Sequence, residues 1–306
     1  MKIVMPGGTG QIGGVLNRAL TDAGHEVVIV SRSRGVRWDG RTLGAWAQEI
    51  DGADVVVNLA GRSVSCRYTK ENLHEMMRSR VESARVVGEA IARAEKPPKV
   101  WLQMSTATIY SHRFDAANDE EKGIVGGDEK DAPGYWGFSV DIARNWEAEL
   151  EKADTPHTRK VALRAAMVMS PDRGGAFDHL SWIARLGLGG AVGDGRQYMS
   201  WIHDEDFVRA VALLIREPIA GAVNLAAPNP LPHKDFMREV RKAWKVPVGL
   251  PATRWMAEIG AAVIGTDTEL LLKSRRVVSR RLSEAGFEFR FPHWAEAAQN
   301  LAERRR

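Results

Sequence analysis

The chain has 306 residues and one cysteine, and 43 Lys plus Arg against 39 Asp plus Glu give it a formal charge of +4. A hydrophobic share of 44% beside 27% charged residues excludes global disorder, and a lone Cys66 excludes an internal disulfide and a cysteine-based metal cluster. No stretch reaches the roughly 18 apolar residues of a membrane span, and a signal peptide is not recognisable at the start. We therefore expect a cytoplasmic protein with no membrane partner and no metal.

The positive charge is concentrated at the C-terminus. Residues Lys273 to Arg306 include nine Lys or Arg and four Glu, a net of +5, so the rest of the chain is close to −1. A basic tail alone is weak evidence for nucleic-acid binding, because specific sites combine charge with groups that read bases. We expect no specific nucleic-acid partner, although binding through the tail stays open.

The first 170 residues alternate apolar runs with amphipathic segments, which is typical of parallel βαβ units. The predicted strands are Lys2 to Met5, His25 to Val30, Val36 to Trp38, Asp54 to Leu59, Val100 to Met104 and Arg159 to Met169. Helices are predicted at Gln11 to Ala23, Asn72 to Arg93 and Val140 to Lys152. This order predicts an α/β fold with a Rossmann-type doubly wound parallel sheet.

Beyond Pro171 the alternation loosens, and a smaller C-terminal α/β lobe that binds substrate is predicted. Its predicted helices are Phe177 to Arg185, Asp206 to Arg216, Lys234 to Trp244 and Trp294 to Glu303. The domain prediction is a Rossmann domain at 1–170, to which segments near 190–228 return, and a lobe at 171–306 with a basic end. The polar, glycine-containing stretch Phe114 to Gly134 predicts a mobile surface loop.

A glycine-rich turn directly follows the first predicted strand and opens the first predicted helix. Such a turn lets a pyrophosphate approach the backbone, and the helix N-terminus offers it free N–H groups. An ordinary glycine-rich turn is the alternative, but the strand before and the helix after favour nucleotide binding. The predicted phosphate-binding residues are Gly7, Gly8, Thr9, Gly10, Gln11, Ile12 and Gly13.

The end of the second predicted strand distinguishes the two nicotinamide dinucleotides. An NAD site usually has Asp or Glu there for the ribose 2′-hydroxyl, whereas this strand ends in Ser31-Arg32-Ser33-Arg34. Two guanidinium groups suit the additional 2′-phosphate of NADP, although they could instead be solvated. The sequence predicts NADP(H) as the cofactor, bound by Ser31, Arg32 and Arg34, with Arg32 as the principal contact.

Several further stretches resemble the extended short-chain dehydrogenase/reductases, and more closely an atypical branch labelled as nucleoside-diphosphate-sugar epimerase family proteins. They are NLAG at Asn58 to Gly61, RYTKENLHEMMRSRVESA at Arg67 to Ala84, STATIY at Ser105 to Tyr110, GDGRQYMSWIHDED at Gly193 to Asp206 and NLAAPNP at Asn224 to Pro230. The second stretch resembles the RWT and SR elements of the branch. The end of the chain, from Lys273, resembles a small C-terminal domain of unknown function found in that branch.

The resemblance implies particular roles. Thr106 stands at the catalytic Ser/Thr position, and Arg80 stands where other extended members often have Asn. The resemblance also implies that the backbone of Asn58, Leu59, Ala60 and Gly61 runs beside the cofactor.

Two departures from the family pattern bear on function. Phe138 and Ile142 occupy the positions of the Tyr and Lys in the catalytic YxxxK pair, and starting from Tyr135 instead puts Ser139 at the Lys position. The branch also lacks the Tyr and Lys pair, and the same segment of its members finishes in an Asn-Trp-Glu-like ending. Trp146 and Glu147 match that ending here. Met199 stands where sugar-nucleotide enzymes commonly have an arginine for the substrate diphosphate, which makes a nucleotide sugar a weaker expectation.

Without the Tyr and Lys pair, the catalytic roles are predicted for other polar side chains expected near a bound nicotinamide. Thr106 is predicted to donate a hydrogen bond to the substrate oxygen, and Tyr110 or Tyr135 to supply a proton. Further predicted cofactor contacts are Arg80, Ser105 and Arg164, and predicted substrate contacts are Tyr198 and Trp201. For the tyrosines and for Trp201, core packing is the alternative.

Together these features predict an NADP(H)-dependent oxidoreductase or epimerase-like enzyme that acts on a small carbonyl or alcohol substrate without the usual Tyr-x-x-x-Lys pair. The alternative is a non-catalytic NADP(H)-binding regulator or scaffold, because the pair is missing. The sequence leaves a homodimer open.

Overall fold

A computed structural model describes residues 1–130, 132, 135–251 and 272–305. In this part of the chain seven parallel strands form one sheet, in the order β10-β6-β5-β4-β1-β2-β3. Numbered along the chain, these strands are β1 (Lys2–Pro6), β2 (Glu26–Ser31), β3 (Val36–Arg37), β4 (Val55–Asn58), β5 (Val100–Thr106), β6 (Arg159–Ala165) and β10 (Gly221–Leu225). The sheet order reverses between β1 and β4, so a crevice opens at their carboxyl ends.

Helices cover both faces of this sheet, which is why its strands are continuous Val, Ile and Leu runs. Helices α1 (Gln11–Asp22) and α5 (Asp204–Arg216) pack on one face through Leu16 and Phe207. Helices α2 (Lys70–Arg93) and α3 (Trp136–Lys152) cover the other face, where Val87 and Leu150 are fully buried. The predicted doubly wound α/β fold is confirmed.

The second half of the chain adds smaller elements. Strands β7 (Met167–Met169) and β9 (Trp201–His203) pair in parallel, and β8 (Tyr198–Met199) pairs antiparallel with β11 (Leu231–Pro232). Their apolar core is centred on Trp201, Phe236 and Trp294. The helices are α4 (Ala176–Arg185), α6 (His233–Ala243), α7 (Arg280–Glu284) and α8 (Trp294–Arg305). No described helix is long and apolar enough to cross a membrane.

The predicted sixth strand, Arg159 to Met169, is two strands in the structure. β6 continues the main sheet, whereas β7 leaves it and pairs with β9. Between them the Ala166 N–H donates a hydrogen bond to the Leu225 carbonyl. The apolar residues 161–163 of β6 are separated from the apolar strand β7 by only three residues, so the hydrophobic pattern does not reveal the change of partner.

The segment predicted as a mobile loop is held by many hydrogen bonds in its described part. Asn118 is fully buried, and its backbone N–H donates to the Arg276 carbonyl. The Glu129 carboxylate accepts from the backbone of His112 and Gly127 and from the Trp136 indole. The polar residues that made this segment resemble a free loop are therefore the ones that fix it to the body.

Carboxylates of the body pair with several arginines of the basic tail. Arg280 contacts Glu121, Arg304 forms a pair with Asp204 at 2.8 Å, and Arg305 forms one with Asp178 at 2.5 Å. Much of the tail's charge is thus neutralised within the molecule.

Candidate cofactor and active site

The glycine turn between β1 and α1 is shaped by close backbone contacts. Gly7 has a φ of +76°, and a Cβ there would lie 2.5 Å from the Ala60 nitrogen. A Cβ on Gly13 would overlap the Gly8 carbonyl. Helix α1 starts after Gly10 without a side-chain cap and has no acidic residue in its first turn, so its N-terminus is suited to an anion.

The end of β4 forms the opposite wall of this turn. Asn58 is fully buried, and its amide donates to Gln103 Oε1 at 2.9 Å. Its Oδ1 accepts the Ala60 N–H at 3.1 Å, which fixes the backbone of Ala60 against Gly7. The Asn side chain thus acts by positioning the neighbouring backbone.

An outer cavity of about 310 Å³ begins at this turn and runs along the end of β2. Arg32 is exposed and lines it, and no described carboxylate pairs with Arg32. Ser31 Oγ accepts the backbone N–H of Arg34 at 2.8 Å, so it shapes the turn that carries Arg32. Arg34 lies outside this lining. The lining also contains residues that the sequence interpretation missed: Trp38, Asp39, Gly40, Arg41, Arg62, Glu75, Ser79 and Ser83.

An inner cavity of about 530 Å³ is continuous with the outer one, because Gly7, Gly10, Leu59, Gly61 and Arg62 line both. It extends over the carboxyl end of β5 towards α3 and α4. The predicted site residues Gln11, Ile12, Gly13, Arg80, Ser105 and Thr106 all line it. The turn, the second-strand arginine and the β5 threonine therefore share one crevice.

Thr106 ends β5 at the wall of the inner cavity. Its Oγ1 accepts the Thr108 N–H at 3.1 Å, which occupies an acceptor position of the hydroxyl. No contact among the described residues uses its own proton. The hydroxyl can therefore donate that proton in a hydrogen bond to an oxygen held in the cavity.

Apolar side chains stand where the family has its Tyr and Lys. Ile142 is buried and lines the inner cavity, and Phe138 packs against the small cluster formed by Tyr68, Met76 and Ile142. This wall therefore has neither the phenol nor the ammonium group of the usual pair.

Arg80 contributes a guanidinium to the same wall. Its Cζ lies 5.1 Å from the centre of the Trp146 ring, and its Nη1 donates to the Met76 carbonyl at 2.9 Å. Burial lowers the pKa of Arg80 to about 10, while the nearby Tyr68 and Cys66 act in the opposite direction. Arg80 is therefore charged at neutral pH, and the tryptophan of the Asn-Trp-Glu-like ending supports it by a cation–π contact.

The glutamate of that ending organises a largely buried network beside the cavity. Glu147 accepts hydrogen bonds from Arg164 Nε at 2.9 Å and Nη2 at 2.7 Å, and from Ser105 Oγ at 2.5 Å. Arg164 also donates to the Tyr110 hydroxyl, which donates to Asn224 Oδ1. Burial by itself would lower the pKa of Arg164, but its bonds to Glu147 outweigh burial and raise it.

Some predicted site residues lie away from the cavity lining. Tyr110 is 2% exposed, and burial raises the pKa of its phenol. Tyr135 is 48% exposed and contacts the ring of Tyr68. Trp201 is fully buried 4.9 Å from Trp294, and the Tyr198 ring lies under Arg276. These positions, like that of Arg164, favour packing and internal bonding over contact with a ligand.

Tyr68 and Arg275 also line the inner cavity, and the sequence interpretation assigned neither a role. The signal for Tyr68 was its place in RYT, where the related branch has RWT. Residues 1–130, 132, 135–251 and 272–305 contain no cluster of three or more His, Cys, Asp or Glu side chains that could hold a metal ion.

Comparison with known proteins identifies related chains along the whole length. Residues 3–226 match the model of the NAD dependent epimerase/dehydratase family, and residues 254–301 match a domain of unknown function, DUF1731. The epimerase family protein SDR39U1 of Bos taurus is 31% identical over 98% of this chain and 99% of its own. The epimerase family protein YfhF of Bacillus subtilis is 28% identical over 95% of this chain and 94% of its own.

Solved structures agree with this similarity. Human SDR39U1 (isoform2), crystallised with NADPH, superposes with a TM-score of 0.83 and 28% identity over 99% of both chains. A nucleoside-diphosphate sugar epimerase of Corynebacterium glutamicum superposes with a TM-score of 0.76 and 25% identity, over 99% of this chain and 58% of that one. The predicted resemblance to the extended short-chain dehydrogenase/reductases is confirmed, and the chain belongs to the NAD dependent epimerase/dehydratase family.

Proposed function

We propose that the chain is an NADP(H)-dependent oxidoreductase or epimerase-type enzyme that acts on a small carbonyl or alcohol substrate. The observation that carries the proposal is the continuity of the two cavities: the phosphate turn and Arg32 lie at one end, and Thr106 lies in the other cavity. The NADPH in the human SDR39U1 structure supports the choice of cofactor.

The residues fit an NADP(H) molecule in a definite order. The N-terminus of α1 and the glycine turn would hold the pyrophosphate, and Arg32 would meet the 2′-phosphate. A bound nicotinamide supplies or accepts hydride. Thr106 would hold the substrate oxygen by donating its hydroxyl proton in a hydrogen bond, and Leu59 and Met104 would exclude water from that end.

The tail arginines support a small-molecule substrate over a nucleic acid. Arg304 and Arg305 are paired with Asp204 and Asp178, so less of their charge is available to a polyanion. A homodimer stays compatible with this proposal.

We expect Arg32→Ser to raise the Kd for NADPH by about 10- to 100-fold, since an arginine–phosphate hydrogen bond contributes about 1.5–3 kcal/mol. Binding of NADH, which has no 2′-phosphate, is expected to stay unchanged. Fluorescence titration of the purified chain with both cofactors measures this. Arg34→Ser is the matched control, because Arg34 is also exposed but lies outside the cavity lining. An equal loss for both cofactors, or no binding of NADPH by the unaltered chain, would contradict the proposal.

Thr106→Val is expected to lower kcat about 100-fold or more with aldehyde and ketone probes such as 9,10-phenanthrenequinone, because the transition state loses a hydrogen-bond donor. NADPH affinity should not change. Thr108→Val is the control, since Thr108 also lines the inner cavity but its Oγ1 accepts a bond from Arg275. Tight NADPH binding without turnover of any probe would instead favour the non-catalytic regulator.

A further inference from the structure

Tyr68 is held at the wall of the inner cavity. It lies in the loop between β4 and α2, is 8% exposed, and lines the cavity that Thr106 also lines. Its ring packs with Met76 of α2 and Ile142 of α3, and its centroid lies 5.8 Å from that of Tyr135. One neighbour from α2, one from α3 and the residue directly before α3 thus fix the ring beside the positions that Tyr and Lys occupy in the family.

The titratable side chains that line the cavity around Tyr68 are otherwise basic: Arg62, Arg80, His179 and Arg275. Arg80 is the charged residue of α2 that lines this cavity, and its electrostatic interaction with the Tyr68 phenol favours the charged guanidinium. Cys66 lies on the same loop, Arg67 directly precedes Tyr68, and Tyr135 lies before α3. No described carboxylate lines this cavity, so no negative side chain there opposes the ionised phenol.

We propose that Tyr68 is the proton donor of this site, with Arg80 as the positioning residue that stabilises its phenolate. The two would replace the Tyr and Lys that the chain lacks at Phe138 and Ile142. This inference rests on the proposed function, because it assumes that a carbonyl is reduced in the inner cavity.

In reduction the substrate gains a hydride from the cofactor and a proton from Tyr68. The carbonyl carbon of the substrate gains a hydride with its electron pair from the bound cofactor, which is oxidised from NADPH to NADP⁺. The C=O π bond breaks as the Tyr68 O–H bond breaks, and the proton forms a new O–H bond on the substrate oxygen. Tyr68 is left as a phenolate beside Arg80 and regains a proton from water. In the direction of alcohol oxidation the phenolate accepts the proton.

Two effects on the phenol oppose each other. Burial disfavours the phenolate and raises the pKa of the phenol, whereas a nearby positive charge favours the phenolate and lowers that pKa. Arg80 is charged at neutral pH and shares the wall with Tyr68, so we expect the cation to dominate.

The test uses the four tyrosines of the chain: Tyr68, Tyr110, Tyr135 and Tyr198. The protein is labelled with ¹³Cζ-tyrosine, the resonances are assigned with single Tyr→Phe variants, and the full chain is titrated without cofactor. We expect Tyr68 to titrate about one pH unit below the exposed Tyr135. Arg80→Met should raise the Tyr68 midpoint by about one unit or more and leave Tyr198 unmoved. Arg80→Gln serves the same purpose if the methionine variant does not fold.

The proposal is overturned if Tyr68 in the unaltered chain titrates at a higher pH than Tyr135. It is also overturned if the titration midpoint of Tyr68 does not change when Arg80 is replaced. A second readout is reduction of 9,10-phenanthrenequinone, where Tyr68→Phe should lower kcat about 100-fold, flatten the alkaline limb of the pH profile and leave the Kd for NADPH unchanged. Tyr135→Phe is the matched control. Failure of NADPH binding would refute the proposed function, whereas normal binding and turnover by Tyr68→Phe would refute only the role of Tyr68.

Discussion

Replacing Glu147 with leucine is expected to lower the free energy of unfolding by about 3–5 kcal/mol, because the Arg164 guanidinium would stay buried without its carboxylate. Both side chains of this pair are only 14–15% exposed, so water replaces little of what is lost. The Ser105 hydroxyl would lose its acceptor at the same time. Urea denaturation of the purified chain measures the change.

Helix α3 supplies the matched control for this prediction. Glu149 pairs with Lys152 at 2.9 Å, but that lysine is 70% exposed, so Glu149→Leu should cost no more than about 1 kcal/mol. The double variant Glu147→Leu with Arg164→Met removes both buried charges and should regain much of the loss. An equal decrease in the free energy of unfolding for the Glu147 and Glu149 variants would show that the Glu147–Arg164 pair contributes no more to stability than an exposed pair.

Local features of the sequence were sufficient for the fold and for the geometry of the glycine turn. Strand β1, the glycines and helix α1 are consecutive, so their geometry follows from neighbours in the chain, as Gly7 and Gly13 illustrate. The place of Arg32 was predictable for the same reason, since it depends only on where β2 ends.

Contacts between distant segments were not predictable from pattern alone. Arg164 could have faced the cofactor or a carboxylate, and the hydrophobic pattern of β6 is identical in both cases. It meets Glu147 because α3 crosses the sheet at that point. Tyr68 was missed because its loop reaches the inner cavity only through packing on Met76 and Ile142, one from each of two helices. Residue type indicated the chemistry, but the tertiary fold decided which groups share a cavity.

Gly10→Ala is expected to weaken NADPH binding by about tenfold or more, equal to about 1.4 kcal/mol, with little change in stability. In the protein a Cβ at this position meets only the Gly7 carbonyl oxygen, at 3.7 Å, and the Gly10 φ of −73° is open to alanine. The added methyl group would instead stand at the N-terminus of α1, where the proposed pyrophosphate site requires close approach to the backbone. Fluorescence titration and thermal unfolding without cofactor separate the two effects.

Two neighbouring glycines, Gly13 and Gly14, serve as controls for Gly10. Gly13→Ala should destabilise the chain by about 1–3 kcal/mol, because its Cβ overlaps the Gly8 carbonyl and the turn must shift. Gly14→Ala should bind NADPH normally and unfold at a slightly higher temperature. Its Cβ would meet only the Arg18 guanidinium at 3.7 Å, and alanine favours a helix. If Gly10→Ala binds as tightly as Gly14→Ala, the phosphates do not lie at this helix terminus. Loss of binding at Gly10 with an unchanged Tm would tie the glycine to the ligand, because the fold by itself leaves room for a methyl group there.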